Sequence, residues 1–150
     1  QEQFDLVMEV DKEPVNAFMP YLKRNNIEFP KELVDLALEN VYPVWLKLKY
    51  LHRRARPFQV APHLGFVISV IQTSTHQTPA YPSGHQTEGA LYAEILSDIY
   101  PEHKTGFYEA AGMVGMARML QGVHYPSDNE AAMRVARICW ENIKEILDDQ

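Results

Sequence analysis

Apolar positions along this chain recur mostly at the three-and-four spacing of helices. The first clear signal is Pro14, which can open a short helix running to the Asn25-Asn26 break. Pro30-Lys31-Glu32 starts a second, with Leu33, Leu36, Ala37, Val41, Val44, Leu48 and Leu51 as its apolar stripe. Pro43 should kink that helix. Pro57 should end it at or just before Arg56, because proline lacks an amide and crowds the residue before it. From Phe58 to Ala80, Val and Ile point to extended chain while the ends look like loop, so the stretch is read as irregular. Ser83 and Gln86 have capping-box spacing, so a helix is expected from Ser83 through Ala90, Leu91, Ile95 and Leu96 to Tyr100-Pro101. Another, from about Lys104, carries Phe107, Ala111, Val114, Ala117 and Met119, with Gly122 placed as its C-terminal cap. Ser127 and Glu130 repeat the capping-box spacing and open a last helix with Ala131, Val135, Ile138, Ile143 and Ile146 on its inner side. These elements make an all-α, compact bundle of about five helices, a single domain over residues 1–150, with the active site between helices.

Composition narrows this picture. A chain of 150 residues, 46% hydrophobic, can bury roughly two-thirds of its unfolded surface in one core. The single Cys139 lies in the apolar stretch Val135 to Trp140 and reads as core packing. The longest apolar run, Leu64 to Ile71, is far short of the 18 or more residues of a membrane span, so a soluble chain without a transmembrane segment is expected. The chain begins at Gln1, which leaves room for a removed leader, and the compartment stays open between cytoplasm and periplasm or exterior. The net charge of −6 argues against a nucleic-acid partner. Yet Asn40 to Thr87 holds no Asp or Glu while carrying Lys47, Lys49, Arg53, Arg54 and Arg56. Such a run is either a solvated helix end or an anion site on an acidic body.

Three blocks carry candidate chemistry. Lys49 and Arg56 are seven residues apart, about two helical turns, so on one helix they would share a side with Arg53 between them and could hold two sides of a phosphate. Pro82-Ser83-Gly84-His85 puts a glycine and a histidine in a first helical turn, where free amides attract anions and glycine lets a ligand approach the backbone. Arg118 falls in a last turn, His124 in the connection and Asp128 in the next first turn. Capping accounts for Ser83, and the helix dipole accounts for Lys49, Arg56, Arg118 and Asp128 without any ligand. Neither accounts for His124 or His85. A carboxylate four residues beyond an imidazole can take the Nδ1 proton and leave Nε2 as a nucleophile.

Lys49 to Arg56-Pro57, then Pro82-Ser83-Gly84-His85, then Arg118, His124 and Asp128 resemble the signature of the type 2 phosphatidic acid phosphatase superfamily, which includes class A acid phosphatases and vanadium haloperoxidases. All three blocks match in order and internal spacing, and Ala117 stands where a serine is common. The resemblance implies a trimmed helical bundle that hydrolyses a small phosphomonoester rather than a lipid. It implies phosphate held by Lys49, Arg56, Arg118 and Ser83-Gly84, attack by His124 to give a phosphohistidine, and Asp128 fixing the tautomer. His85 would protonate the leaving oxygen and then activate water. No metal or other cofactor is implied, three fixed cations taking that role.

Three alternatives stand beside this reading. The pocket could hold vanadate as in a haloperoxidase, with His124 as axial ligand. His85, His124 and Asp128 could form a two-His, one-carboxylate metal site, which leaves the three cations unexplained. The chain could also bind phosphate without turnover. His52, His63, His76 and His103 match no block and read as surface or loop residues, while Trp45 and Trp140 read as core. A core this small could also be completed by homo-oligomerisation.

Overall fold

Helical periodicity governs residues 1–149, which the computed structural model describes. Gln150, the last residue of the expected domain, lies outside the described residues. In chain order come α1 (Glu2–Lys12), α2 (Met19–Arg24), α3 (Lys31–His52), the single turn α4 (Pro57–Val60), α5 (Gly84–Ile99), α6 (Lys104–Leu120) and α7 (Pro126–Asp148). Short 3-10 turns occupy Pro14–Ala17, Ala61–Leu64 and Pro101–His103, and no strand occurs among the described residues.

The core forms around α5. Its Ala90, Leu91, Ala93, Ile95 and Leu96 are fully enclosed because α3, α6 and α7 pack on it from different sides. Phe18, Leu22 and Phe107 complete the interior. Each such side chain contributes roughly 1.5–3 kcal/mol by leaving water. Trp140 and Trp45 are buried, as expected, and the Trp140 indole N–H donates to Asp98 at 2.8 Å. Cys139 packs against this core, and burial pushes its thiol pKa up.

Several expectations are revised. α1 carries no cap signal and precedes the first helix that the sequence marks, yet it docks on α6 through Val7 and Val10. The helix expected from Pro14 is split into a 3-10 turn and α2. α3 runs through Pro43 and stops at His52, four residues before Arg56, where Arg53 adopts a left-handed conformation with φ 48°. Its buried stripe is Val34, Ala37, Val41, Trp45 and Lys49, a face rotated from the expected one that leaves Leu36, Val44 and Leu51 exposed. The irregular stretch from Phe58 contains the end of α4 and a 3-10 turn before it becomes loop. In α7 the inner face is Ala131, Ala132, Ala136, Trp140 and Ile143, whereas Ile138 and Ile146 face outward.

Candidate active site

The buried stripe of α3 ends in a lysine. Lys49 is 4% exposed, and its Nζ donates to the Pro79 carbonyl at 2.7 Å. Arg56 does not share that helix. The left-handed turn at Arg53 redirects the chain so that Arg56 becomes the residue before α4, its amide donating to Gln59 Oε1 at 2.7 Å. The turn therefore brings the two cations together, and Arg53 between them points into solvent. The Arg56 guanidinium is buried. Nε and Nη2 donate to the Thr78 carbonyl at 3.0 and 2.9 Å, and Nη1 donates to the Val123 carbonyl at 3.1 Å and to His124 Nε2 at 2.9 Å.

The connection from α6 to α7 positions the third block. The amide of Gly122, with φ 84°, bonds the Met119 carbonyl at 2.9 Å, and the amide of Val123 bonds the Arg118 carbonyl at 3.3 Å. This is a Schellman closure, as the glycine led one to expect, and it turns the chain inward so that Val123 and His124 are buried. α7 then begins at Pro126, one residue before the expected Ser127 start, and the cap comes from Asp128, whose Oδ2 accepts from the Tyr125 amide at 2.9 Å. The same oxygen accepts from His124 Nδ1 at 3.0 Å. The imidazole is thus held from both sides: Nδ1–H donates to a carboxylate, and the Nε2 lone pair accepts from Arg56.

At the start of α5, Ser83 is the expected N-cap, its Oγ accepting from the Gln86 amide at 3.2 Å. The Gln86 side chain reaches Met133 instead, so the box is not closed. The amides of Gly84 and His85 make no hydrogen bond within the described residues. Nothing in the packing demands the glycine, since a Cβ at Gly84 would meet only ordinary contacts, the nearest being Trp45 Nε1 at 3.5 Å. His85 Nε2 lies 3.1 Å from the Asp11 carbonyl, an acceptor, so it carries the proton of a neutral ring.

A cavity of about 180 Å³ is walled by Lys49, Arg56, Gly84, His85 and His124. Of the other expected site residues, Ser83 serves the helix cap, Asp128 stands behind His124, and Arg118 stands behind Thr75. Burial and mutual repulsion shape the charges here. Burial, aided by Arg56 and Arg118, lowers Lys49 to about 7. Burial and Arg118 lower Arg56 to about 10. His85 falls to about 4 through burial and Arg118, with Asp11 opposing. His124 falls to about 3 through burial, against the hydrogen bond it donates to Asp128, with Arg56, Arg118 and Lys49 adding repulsion. Burial alone would raise Asp128, but hydrogen bonds from His124, Tyr125 and Arg54 outweigh it and hold the carboxyl below its ordinary value.

Asp11, Arg54, Gln121 and Glu88 belong to this neighbourhood although no block contains them. Arg118 Nη1 donates to Asp11 Oδ1 and to Gln121 Oε1, both at 2.6 Å, and Asp11 also accepts from Thr73 at 3.0 Å and from Thr75. Arg118 Nε remains buried without a partner. Arg54 donates to Asp128 Oδ1 and Ser127 Oγ, each at 2.7 Å, so part of the basic run serves the site rather than solvent. No spacing could announce the Asp11 contact, which joins residues 107 apart. His76, expected at the surface or in a loop, lies in a loop but is buried beside Phe58 and 3.3 Å from Thr73 Oγ1. His103 is half-buried against Tyr21, and His52 and His63 are exposed as expected. The metal alternative fits poorly: His124 Nε2 faces a guanidinium, and among the described residues no group of three or more His, Cys, Asp and Glu side chains is arranged to hold an ion.

An all-helical protein that buries three cations around a carboxylate-backed imidazole is arranged to hold a tetrahedral oxyanion. A profile of the PAP2 superfamily matches residues 33–143, and the chain belongs to that superfamily. It is 28% identical over 114 residues to a non-specific acid phosphatase of Salmonella typhimurium, a match covering 76% of this chain and 45% of that protein. A non-specific acid phosphatase of Providencia stuartii is 35% identical over 65 residues, covering 43% of this chain and 26% of the relative. A lipid A 1-phosphatase of Rhizobium etli is 35% identical over 49 residues, covering 33% and 21%. The chain thus spans less than half the length of these curated relatives. In fold it is similar to the crystal structure of a transmembrane PAP2-type phosphatidylglycerolphosphate phosphatase from Bacillus subtilis, with a TM-score of 0.61 at 20% identity, covering 97% of this chain and 76% of that one. None of the described helices here is long and apolar enough to cross a membrane.

Proposed function

We propose that this protein is a metal-independent phosphoric monoester hydrolase, acid-phosphatase-like, acting through a phosphohistidine on His124. The observation that carries the reading is the double restraint on His124, with Nδ1–H donated to Asp128 and the Nε2 lone pair turned towards Arg56 in a cationic cavity. The free amides of Gly84 and His85 supply donors that a phosphate would satisfy. The acid phosphatases among the relatives support the hydrolase part of this reading.

Phosphate entering the cavity takes over the Arg56 Nη1 donor and frees the Nε2 lone pair. Nε2 attacks phosphorus in line, an N–P bond forms and the P–O bond to the leaving group breaks. His85 gives its proton to the leaving oxygen. The dianion raises the His85 pKa from its empty-site value, so substrate itself charges the acid. Water then attacks phosphorus, His85 takes its proton, the N–P bond breaks and phosphate leaves. Asp128 keeps the proton on Nδ1 and stabilises positive charge on the ring while the N–P bond exists. Lys49, Arg56 and Arg118 neutralise the oxygens, the role a metal ion would otherwise have.

Turnover of phenyl phosphate in the presence of EDTA tests this. The native chain should be active, and His124→Ala should lose at least about a thousandfold in kcat while still binding inorganic phosphate. Unchanged turnover in the variant overturns the covalent role, and loss of activity with EDTA overturns metal independence.

A further inference from the structure

The phosphate cavity, at about 180 Å³, is smaller than the roughly 300–1,000 Å³ of common small-ligand pockets. Beside it lies a groove of about 620 Å³. The two share Thr75, His85 and Glu88 in their walls, and His85 is the residue placed to protonate the leaving oxygen. A leaving group protonated at His85 would extend past Glu88 into the groove.

The groove has an apolar side and an acidic one. Phe29 stands edge-on to Tyr92, with ring centroids 5.4 Å apart, and Val34 and Leu38 extend that surface. Of its charged residues, Lys31 is taken by Asp35 at 2.6 Å, Lys12 leans on Glu9 at 3.7 Å, and Asp11 is taken by Arg118 at 2.6 Å. Glu13 and Glu88 have no cationic partner among the described residues. Glu88 sits one turn after His85 on α5, accepting only from the Tyr92 hydroxyl at 3.2 Å. A carboxylate has about four acceptor directions, so most of its capacity is unused.

Resting on the phosphatase reading above, we propose that this groove is the leaving-group site, with Glu88 selecting esters of neutral or cationic leaving groups and rejecting those with a second anion. The apolar wall holds an aryl or alkyl body, and Glu88 accepts a hydrogen bond from its hydroxyl or ammonium group. A carboxylate or second phosphate would instead face Glu88 and Glu13, with Lys12 and Lys31 already beside Glu9 and Asp35. Burial and Glu13, against the Tyr92 hydrogen bond, push the Glu88 pKa up to about 7, which accords with a group lacking a cation that a positively charged ligand could supply.

Three esters that differ only at the ring's far side test the idea on the native protein: phenyl phosphate, 4-(aminomethyl)phenyl phosphate and 4-carboxyphenyl phosphate. The expected order of kcat/KM puts the ammonium ester at or above the neutral one, and the carboxylate ester at least tenfold below it. In Glu88→Gln the ratio between the ammonium and carboxylate esters should shrink several-fold. The ratio is read within one preparation, so partial misfolding does not move it. Equal kcat/KM across the series in the native protein overturns the proposal while leaving the phosphatase reading intact, as does an unchanged ratio in the variant. No turnover of any of the three overturns the phosphatase reading itself.

Discussion

His124 owes its proposed chemistry to neighbours that are close in sequence on one side and distant on the other. Asp128, four residues on, fixes the Nδ1 proton, while Arg56, 68 residues back, faces Nε2. The first relation is readable from the pattern of residues because it follows one helix start; the second depends on the left-handed turn at Arg53 that no spacing announces. For that reason the sequence correctly marks His124, Asp128, Lys49 and Arg56 as neighbours but places the two cations on one helix, which the structure replaces with a turn. Gly84 separates folding from function most cleanly at this scale. Alanine fits beside Trp45 and favours a helix by up to about 1 kcal/mol over glycine, yet its methyl enters the phosphate cavity. Gly84→Ala should melt at or slightly above the native temperature while the inhibition constant for inorganic phosphate rises about tenfold. Retained phosphate inhibition would remove Gly84 from the site.

Among the elements, the helices with strong end signals were legible and those without were not. Ser83 and Gly122 marked the start of α5 and the end of α6, because a cap is a local hydrogen-bond problem solved by nearby residues. α1 carries no such signal, since its stability comes from docking Val7 and Val10 on α6 rather than from its own caps. With α1 went Asp11, the partner of Arg118. The inner faces of α3 and α7 differ from the expected ones for a related reason. Each carries apolar residues on more than one side, and only tertiary packing decides which stripe is inside. The Schellman closure at Gly122 links one such cap to the site, because it sets the path from Arg118 to His124. A Cβ there would suffer a φ of 84° and meet Ile68 Cγ2 at 2.8 Å. Gly122→Ala should therefore cost about 1–2 kcal/mol, a fall of a few degrees in Tm by calorimetry, and reduce kcat together with stability. A variant as stable and active as the native chain would show that the closure does not position His124.

For the molecule as a whole, enclosing so many cationic groups couples folding to pH. Lys49, His85 and His124 all have folded pKa values below their ordinary ones, at about 7, about 4 and about 3. For a base lowered on folding, the unfolded chain binds protons first. Stability therefore falls as pH drops from the ordinary lysine value to about 7, and again from about 6.5 towards 4 and 3, by up to about 1.4 kcal/mol per histidine per pH unit. Asp11 and Asp128, held below the ordinary carboxylate value, add stability that is present above about pH 4 and lost as pH falls through their folded values. An anion in the cavity favours the protonated forms of Lys49 and His85, so sulfate should raise Tm more at pH 5 than at pH 8. Equal shifts at both would mean that the anion binds elsewhere. The most direct test of the central claim is mass spectrometry of the protein quenched in base during turnover of 4-nitrophenyl phosphate, whose leaving oxygen needs little protonation, with His85→Ala used to slow release. The account predicts one phosphoryl group, stable to base and labile to acid, on His124. Turnover with no phosphoryl group on His124, or with one on another residue, would contradict it.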